Sequence, residues 1–316
     1  MKPYTMGAAG SKMPCEIFLG GINMTDTMEE VLEMRRTCKK SDDARDAGLP
    51  REVPGVRRID DLSYGPDPKW HLLDLYLPEN VEGKIPVIIN VHGGGYCYGT
   101  KETYQFYGLN LAAHGFAFVN PNYRLAPEVV FPGELDDVDR YMHWVSDHAD
   151  EYGLDRNNVF IAGDSAGGQM AEQYIAILTN PEYRSLFGYE PVDLKFRAAA
   201  LNSGAFFLLD PGMIAGELDA YFPKDIVEKD RRRISAEDYI TEDFLPCYLS
   251  TANEDFIHDQ TIKLDGFLTA RGVEHVCRSY GDKDNPQPHV FLMNQKDETA
   301  RQCNEDEVEF FRKHMG

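Results

Sequence analysis

Nothing in this chain is apolar for long enough to cross a bilayer: a span needs ~20 consecutive apolar residues, and no run in the 316 positions comes near that. No continuous apolar segment follows the early lysine, Lys2, so a secretory leader is not expected either. The chain reads as soluble and cytoplasmic. Positive charge is scarce, with 32 Lys and Arg against 53 Asp and Glu and a formal net charge of −21. A field of that sign excludes nucleic acid and anionic membranes as partners. It also slows anionic small molecules, which favours neutral ones. Arg231, Arg232 and Arg233 form a short basic island, read as a salt-bridged helix face. Cysteine is sparse and unpatterned: Cys15, Cys38, Cys97, Cys247, Cys277 and Cys303 show no paired spacing. That excludes a disulfide frame or a zinc site and reads as reduced thiols. Cys97 alone follows a glycine loop, where it is placed to line a pocket. Repeats and low-complexity tracts are absent, and whether the chain forms a homo-oligomer is not legible.

What is present is an alternation of apolar, strand-like runs with helical patterns. Residues 86–91, 158–162, 246–252 and 275–280 read as strands, and 136–145, 261–271 and 304–314 as helices. Residues 56–77 read as early antiparallel strands, with Leu73, Leu75 and Leu77 alternating against Asp74 and Tyr76. With 42% hydrophobic residues, the pattern predicts one large α/β domain. Two segments fall outside it. Residues 1–54 carry a helical pattern over about 25–40, between loop-like 7–10 and 46–50. Residues 205–245 carry a helical run around 236–244.

The most informative stretch is Gly163-Asp164-Ser165-Ala166-Gly167-Gly168, between the apolar run ending at Ala162 and a helix with Met170, Tyr174, Ile177 and Leu178 on one face. A serine with glycine two places before and after, between strand and helix, is a nucleophile elbow. Its oxygen stands at the carboxyl end of a strand, where an open α/β sheet places its chemistry. A second run, residues 86–91, opens into His92-Gly93-Gly94-Gly95. Bare amides there, with the amide of Ala166, are suited to hold an oxyanion, at about 2.7–4 kcal/mol for each well-aimed donor.

A serine hydroxyl needs a base and a carboxylate that orients it. Of nine histidines, His289 lies in a loop after a late strand and is preferred. His275 sits inside a strand pattern, and His258 begins a helical one. The carboxylate should follow a strand and precede the histidine. Asp255 is preferred in the turn Asn253-Glu254-Asp255-Phe256-Ile257-His258-Asp259. Glu254 and Asp259 are alternatives, with Asp259 read as the cap of a helix beginning near Thr261. The serine motif also resembles that of chymotrypsin-like proteases, with Ala112-Ala113-His114 as their histidine motif. That architecture is all-β, which the alternation here excludes.

As a set, His92-Gly93-Gly94-Gly95, Asn122-Tyr123-Arg124-Leu125-Ala126-Pro127-Glu128, Gly163 to Gly168, the Asp255 to Asp259 turn and His289-Val290-Phe291 resemble the hormone-sensitive-lipase-like esterases of the α/β-hydrolase fold. The resemblance implies a mostly parallel sheet flanked by helices, with residues 55–204 and 246–316 as catalytic core and 1–54 and 205–245 as a helical cap over the active site. It implies a triad of Ser165, Asp255 and His289, and an oxyanion hole from Gly93, Gly94, Gly95 and Ala166. Substrate contacts fall to His92, Tyr96 and Asp164 beside the loop and nucleophile, and to Phe206 and Tyr221, with Phe207, Leu208, Leu209 and Met213 as further cap candidates. Three departures stand out. The acid turn has Phe256-Ile257 where the family usually has Pro-Leu, Asn122 replaces the usual aspartate, and residues 281–289 form a longer stretch that predicts a remodelled histidine loop. The implied function is a serine carboxylesterase for short-chain acyl esters, with a small neutral ester as partner and no metal or organic cofactor. The same groups also suit carbohydrate deacetylation or amide and lactone hydrolysis. From another class, gibberellin receptors share the fold as binding proteins but lack the histidine that is present here.

Overall fold

The computed structural model describes residues 24–79 and 81–316. The expected loop at 7–10, Cys15 and the remainder of positions 1–23 lie outside the described residues. The strands are β1 (Val56–Ser63), β2 (Leu72–Pro78), β3 (Ile85–Val91), β4 (Ala117–Pro121), β5 (Leu154–Asp164), β6 (Phe196–Asn202), β7 (Cys247–Ala252) and β8 (His275–Tyr280). They form one sheet in the order β1-β2-β4-β3-β5-β6-β7-β8. The β1–β2 and β2–β4 pairs are antiparallel, and every pair from β4 onward is parallel. The helices are α1 (Met24–Asp46), α2 (Lys101–Ala113), α3 (Gly133–Tyr152), α4 (Ser165–Thr179), α5 (Pro181–Ser185), α6 (Lys224–Lys229), α7 (Arg231–Ile234), α8 (His258–Arg271) and α9 (Glu298–Lys313). This is an α/β-hydrolase fold.

The central strands read as unbroken apolar runs because both faces of the sheet are covered. Val87, Ile89, Val91, Val159, Ile161 and Leu249 face one core, shared with Val138 and Tyr141 of α3, Met170 and Tyr174 of α4 and Leu264 and Leu268 of α8. Ile88, Phe160 and Tyr248 point the other way, onto Leu111 of α2 and Val308 and Phe311 of α9. Each large apolar side chain so buried contributes about 1.5–3 kcal/mol.

The same double burial changes the reading of β2. Leu73, Leu75 and Leu77 are buried as expected, but so are Asp74 and Tyr76 on the opposite face. Asp74 is compensated there by the Lys101 ammonium at 2.9 Å, the Asp61 amide at 3.0 Å and the Tyr76 hydroxyl at 3.1 Å. A buried charge held this way is a satisfied core group.

Several element limits differ from the sequence reading. α1 runs on to Asp46. α9 begins at Glu298, six residues before position 304, because the Asp297 carboxylate accepts from the amides of Thr299 and Ala300 at 2.8 and 3.1 Å. The helix expected over 236–244 is only a 3-10 turn over Ala236–Tyr239, with α6 and α7 preceding it. The basic island lies on α7, where Arg232 pairs with Glu182 at 3.1 Å and Arg233 pairs with Asp230. No helix among the described residues is long and apolar enough to cross a membrane.

Candidate active site

Ser165 stands at the junction of β5 and α4 with φ of +52°. That left-handed backbone is uncommon for a non-glycine residue and is held by close packing around it. A Cβ on Gly167 would lie 2.5 Å from the His92 carbonyl carbon and nearer still to the Val91 and His92 oxygens. On Gly163 a Cβ would run into the Gly167 carbonyl. At Gly167 the elbow and the end of β3 touch backbone to backbone, and at Gly163 the elbow folds back on itself, which explains why side chains are missing at these two positions.

The structure brings Ser165, His289 and Asp255 together. His289 Nε2 is 2.9 Å from Ser165 Oγ, and His289 Nδ1 is 2.8 Å from Asp255 Oδ1. Asp255 is buried, and it also accepts from the Ile257 amide at 3.0 Å and the Thr251 hydroxyl at 3.1 Å. Burial alone raises its carboxyl, but the hydrogen bond and charge of His289, with the Ile257 amide and Ser203, outweigh that and leave it below the usual range. An ionised Asp255 fixes the tautomer with the proton on Nδ1, so the Ser165 hydroxyl donates to a free Nε2 lone pair. The alternatives lie elsewhere. Asp259 projects into solvent and pairs with His258, Glu254 is exposed, and His275 sits 3.2 Å from Asp265 on the outer strand. Asp259 is not the cap expected of it, since α8 begins at His258 behind the turn that Asp255 makes with the Ile257 amide.

The longer stretch before His289 is tied to the acid turn. Asn253 Oδ1 accepts from the Gln287 amide at 2.9 Å, and the Glu254 amide donates to the Gln287 carbonyl at 3.0 Å. The exposed ring of Phe256, where proline is usual, lies 4.4 Å from the His289 ring and walls it on one side.

The glycine loop after β3 faces the elbow. Gly94, Gly95 and Tyr96 all have positive φ, at +122°, +56° and +62°. Gly93, expected among the donors, is corrected by the structure: its amide donates to Asp164 Oδ1 at 3.0 Å and to the Tyr104 hydroxyl at 2.8 Å. The amides left in the loop are those of Gly94 and Gly95. The Ala166 amide joins them, because it sits in the first turn of α4 and has no intrahelical acceptor. Tyr104, which also donates to Asp164 Oδ2 at 2.9 Å, is a group the sequence reading missed. It lies on α2, and nothing in its local pattern marks it.

A family model described as BD-FAE matches residues 73–190. Carboxylesterase NlhH of Mycobacterium tuberculosis is 28% identical over 240 residues, covering 72% of this chain and 75% of NlhH. Esterase LipQ of the same organism is 31% identical over 183 residues, covering 54% of this chain and 43% of LipQ. The chain thus spans less than half the length of LipQ. Among solved structures, esterase B from Lactobacillus rhamnosis with a tributyrin phosphonate inhibitor superposes with a TM-score of 0.84 at 24% identity, covering 93% of this chain and 97% of that one. The chain has the α/β-hydrolase fold of these proteins and is similar in sequence to carboxylesterases of the hormone-sensitive-lipase-like kind.

Around this site, the residues expected to touch substrate are mostly sealed off. His92, Tyr96, Asp164, Phe206 and Tyr221 are all buried. His92 stacks on Tyr123 at 3.9 Å and is bonded through Nδ1 to the Gly93 carbonyl, and burial pushes its imidazole down to about 4, so it stays neutral. Tyr96 turns its ring onto Tyr221 and its hydroxyl to Gln169 at 2.9 Å. Asp164 is pushed up to about 6 by burial, against the Tyr104 hydrogen bond, the charge of His289 and the Gly93 amide. These groups support the loop and elbow from behind. Cys97, expected to line a pocket, is likewise buried, with its thiol against the Glu217 carbonyl. Asn122, at the position of the usual aspartate, accepts at Oδ1 from the first amide of α2, Lys101, at 2.7 Å. No cluster of three or more His, Cys, Asp or Glu among the described residues is arranged to hold a metal ion.

Proposed function

We propose that this chain is a serine carboxylesterase that hydrolyses short-chain acyl esters through an acyl-enzyme. Ser165 is the nucleophile, His289 the general base and then acid, and Asp255 the carboxylate that orients His289. The observation that carries the reading is the unbroken line of hydrogen bonds from Ser165 Oγ through His289 to Asp255, 2.9 and 2.8 Å long. His289 takes the hydroxyl proton as Ser165 attacks the ester carbonyl, and Asp255 stabilises the imidazolium that forms. The amides of Gly94, Gly95 and Ala166 receive the oxyanion. His289 then protonates the departing alcohol and activates a water that releases the acid.

The short-chain reading is supported by the tributyrin phosphonate carried by esterase B, and the neutral-ester reading by the net charge of −21. Residues 55–204 and 246–316 form the catalytic core in this proposal, and α1 with residues 205–245 forms the cap. In support, Met34 of α1 and Leu218 of the second segment both lie against Gly95 of the glycine loop. The free state of the five described cysteines is in keeping with a cytoplasmic setting.

Ser165→Ala tests the reading. Turnover of p-nitrophenyl acetate and butyrate should fall to background while the circular dichroism spectrum and Tm stay close to the parent. Residual wild-type turnover would remove Ser165 from the mechanism.

A further inference from the structure

α1 precedes the sheet, lies outside the region matched by the family model, and falls in a segment expected to belong to the cap and not the catalytic core. It nevertheless grips the glycine loop. Arg35 Nε donates to the Cys97 carbonyl at 2.7 Å, and Nη2 donates to the Ala126 carbonyl at 2.8 Å. Both terminal nitrogens also take the Glu128 carboxylate, at 3.1 and 2.8 Å. The Ala126 amide in turn donates to the Tyr96 carbonyl at 2.9 Å. One guanidinium therefore joins the exit of the loop to the strand-end segment that backs it. Two turns along α1, Asp42 accepts from the Tyr98 hydroxyl at 2.8 Å.

The loop needs such a hold. Three successive residues, Gly94 to Tyr96, are in left-handed backbone, and Tyr96 is not a glycine. A run of that kind persists only where its surroundings over-determine it. From inside, the Tyr123 hydroxyl holds the His92 carbonyl at 2.5 Å, and Asp164 with Tyr104 holds the Gly93 amide. These contacts fix the start of the loop, and Arg35 fixes its end. The donors between the two act on an oxyanion only while they are aimed.

We propose that α1 belongs to the catalytic apparatus: Arg35, by gripping the Cys97 and Ala126 carbonyls, is a positioning residue that keeps the Gly94 and Gly95 amides aimed at the oxyanion. The proposal rests on the esterase reading above. A lysine cannot replace the arginine, because a single ammonium lacks the planar fork that spans two carbonyls and a carboxylate at once.

The test compares wild type, Arg35→Lys and Lys39→Ala, the last altering an exposed α1 pair with Asp43. The readouts are kcat and KM for p-nitrophenyl butyrate, Ki for an alkyl trifluoromethyl ketone that forms a tetrahedral adduct on the serine, and Tm. Arg35→Lys should lower kcat about 10- to 100-fold with KM nearly unchanged, and weaken the ketone by the same factor. Lys39→Ala should match wild type in all four. If Arg35→Lys does not fold, Tyr98→Phe is the gentler step, with a loss of about threefold in kcat matched in ketone affinity. A folded Arg35→Lys that lowers only Tm overturns the proposal and makes Arg35 a mere anchor, as does an unaltered Tyr98→Phe. Absence of ester turnover in the wild type overturns the esterase reading as well, so the two failures are distinguishable.

Discussion

Gly167→Ala is the substitution to which the elbow has least tolerance. The added methyl would lie 2.5 Å from the His92 carbonyl carbon, where ordinary carbon contacts are ~3.5–4.0 Å. Its neighbours are backbone atoms at the end of β3, which have no rotamer to escape into. The first turn of α4 and the end of β3 must therefore separate by roughly 1 Å. That separation falls between Ser165 with Ala166 on one side and the glycine loop on the other, so it moves the nucleophile away from its oxyanion donors. A displacement of ~1 Å costs about 100-fold in rate, and overpacking of this kind costs about 1–3 kcal/mol. The expected result is kcat/KM for p-nitrophenyl acetate down about 100-fold or more, with Tm lowered by several degrees. Gly266→Ala in α8 is the control, because a Cβ there meets nothing within 4 Å. It should leave activity unchanged and add about 0.5–1 kcal/mol. Activity of Gly167→Ala within twofold of wild type at an unaltered Tm would refute the reasoning.

Asp255→Asn should lower kcat by about 10³–10⁴ with little change in the fold, since it removes the ionised acceptor that sets the His289 tautomer; a loss under tenfold in steady-state assays would argue against that role. The same residue has a depressed folded pKa, so its contribution to stability is present above ~3.9 and lost as pH falls through the lower folded value. Urea titrations should therefore show wild type and variant converging in acid, and a constant gap would contradict this. Glu307 has the opposite sign. It is fully buried, holds the Tyr107 hydroxyl at 2.6 Å and the Asn202 amide at 3.1 Å, and burial pushes its carboxyl up to about 7. The native state keeps this proton between ~4.3 and about 7 while the unfolded chain releases it, so stability falls as pH rises across that window, by on the order of 3 kcal/mol. Denaturant curves of Glu307→Gln at pH 5 and 8 should be the flatter pair; parallel behaviour would remove Glu307 as the source.

The parts of the fold and site that were legible depend on contacts close in sequence. Runs such as Val87 to Val91 announce a doubly covered strand, and glycines at 163 and 167 announce an elbow because the crowding is local to one turn. His289 and Asp255 could be chosen because each follows a strand in the required order. What escaped depends on partners far along the chain. The Gly93 amide looked free, and only the approach of Tyr104 on α2 and Asp164 at the end of β5 explains where it goes. Asp74 looked like the exposed half of an alternation until Lys101 reached it. Aromatic residues near the site, Tyr96, Phe206 and Tyr221, suggested a lining, but their burial makes them supports. Helix limits failed where a single carboxylate decides them, as Asp297 does for α9 and Asp255 for the turn before α8.

Covalent capture tests the central claim most directly. The protein would be treated with a p-nitrophenyl alkylphosphonate, and intact-mass and peptide mass spectrometry would follow the adduct alongside loss of ester turnover. The account predicts one adduct per chain, on the peptide bearing Ser165, forming in step with inactivation and far more slowly in His289→Ala. Full inactivation with the label on any other residue, or a labelled Ser165 in protein that still turns over ester, would contradict it.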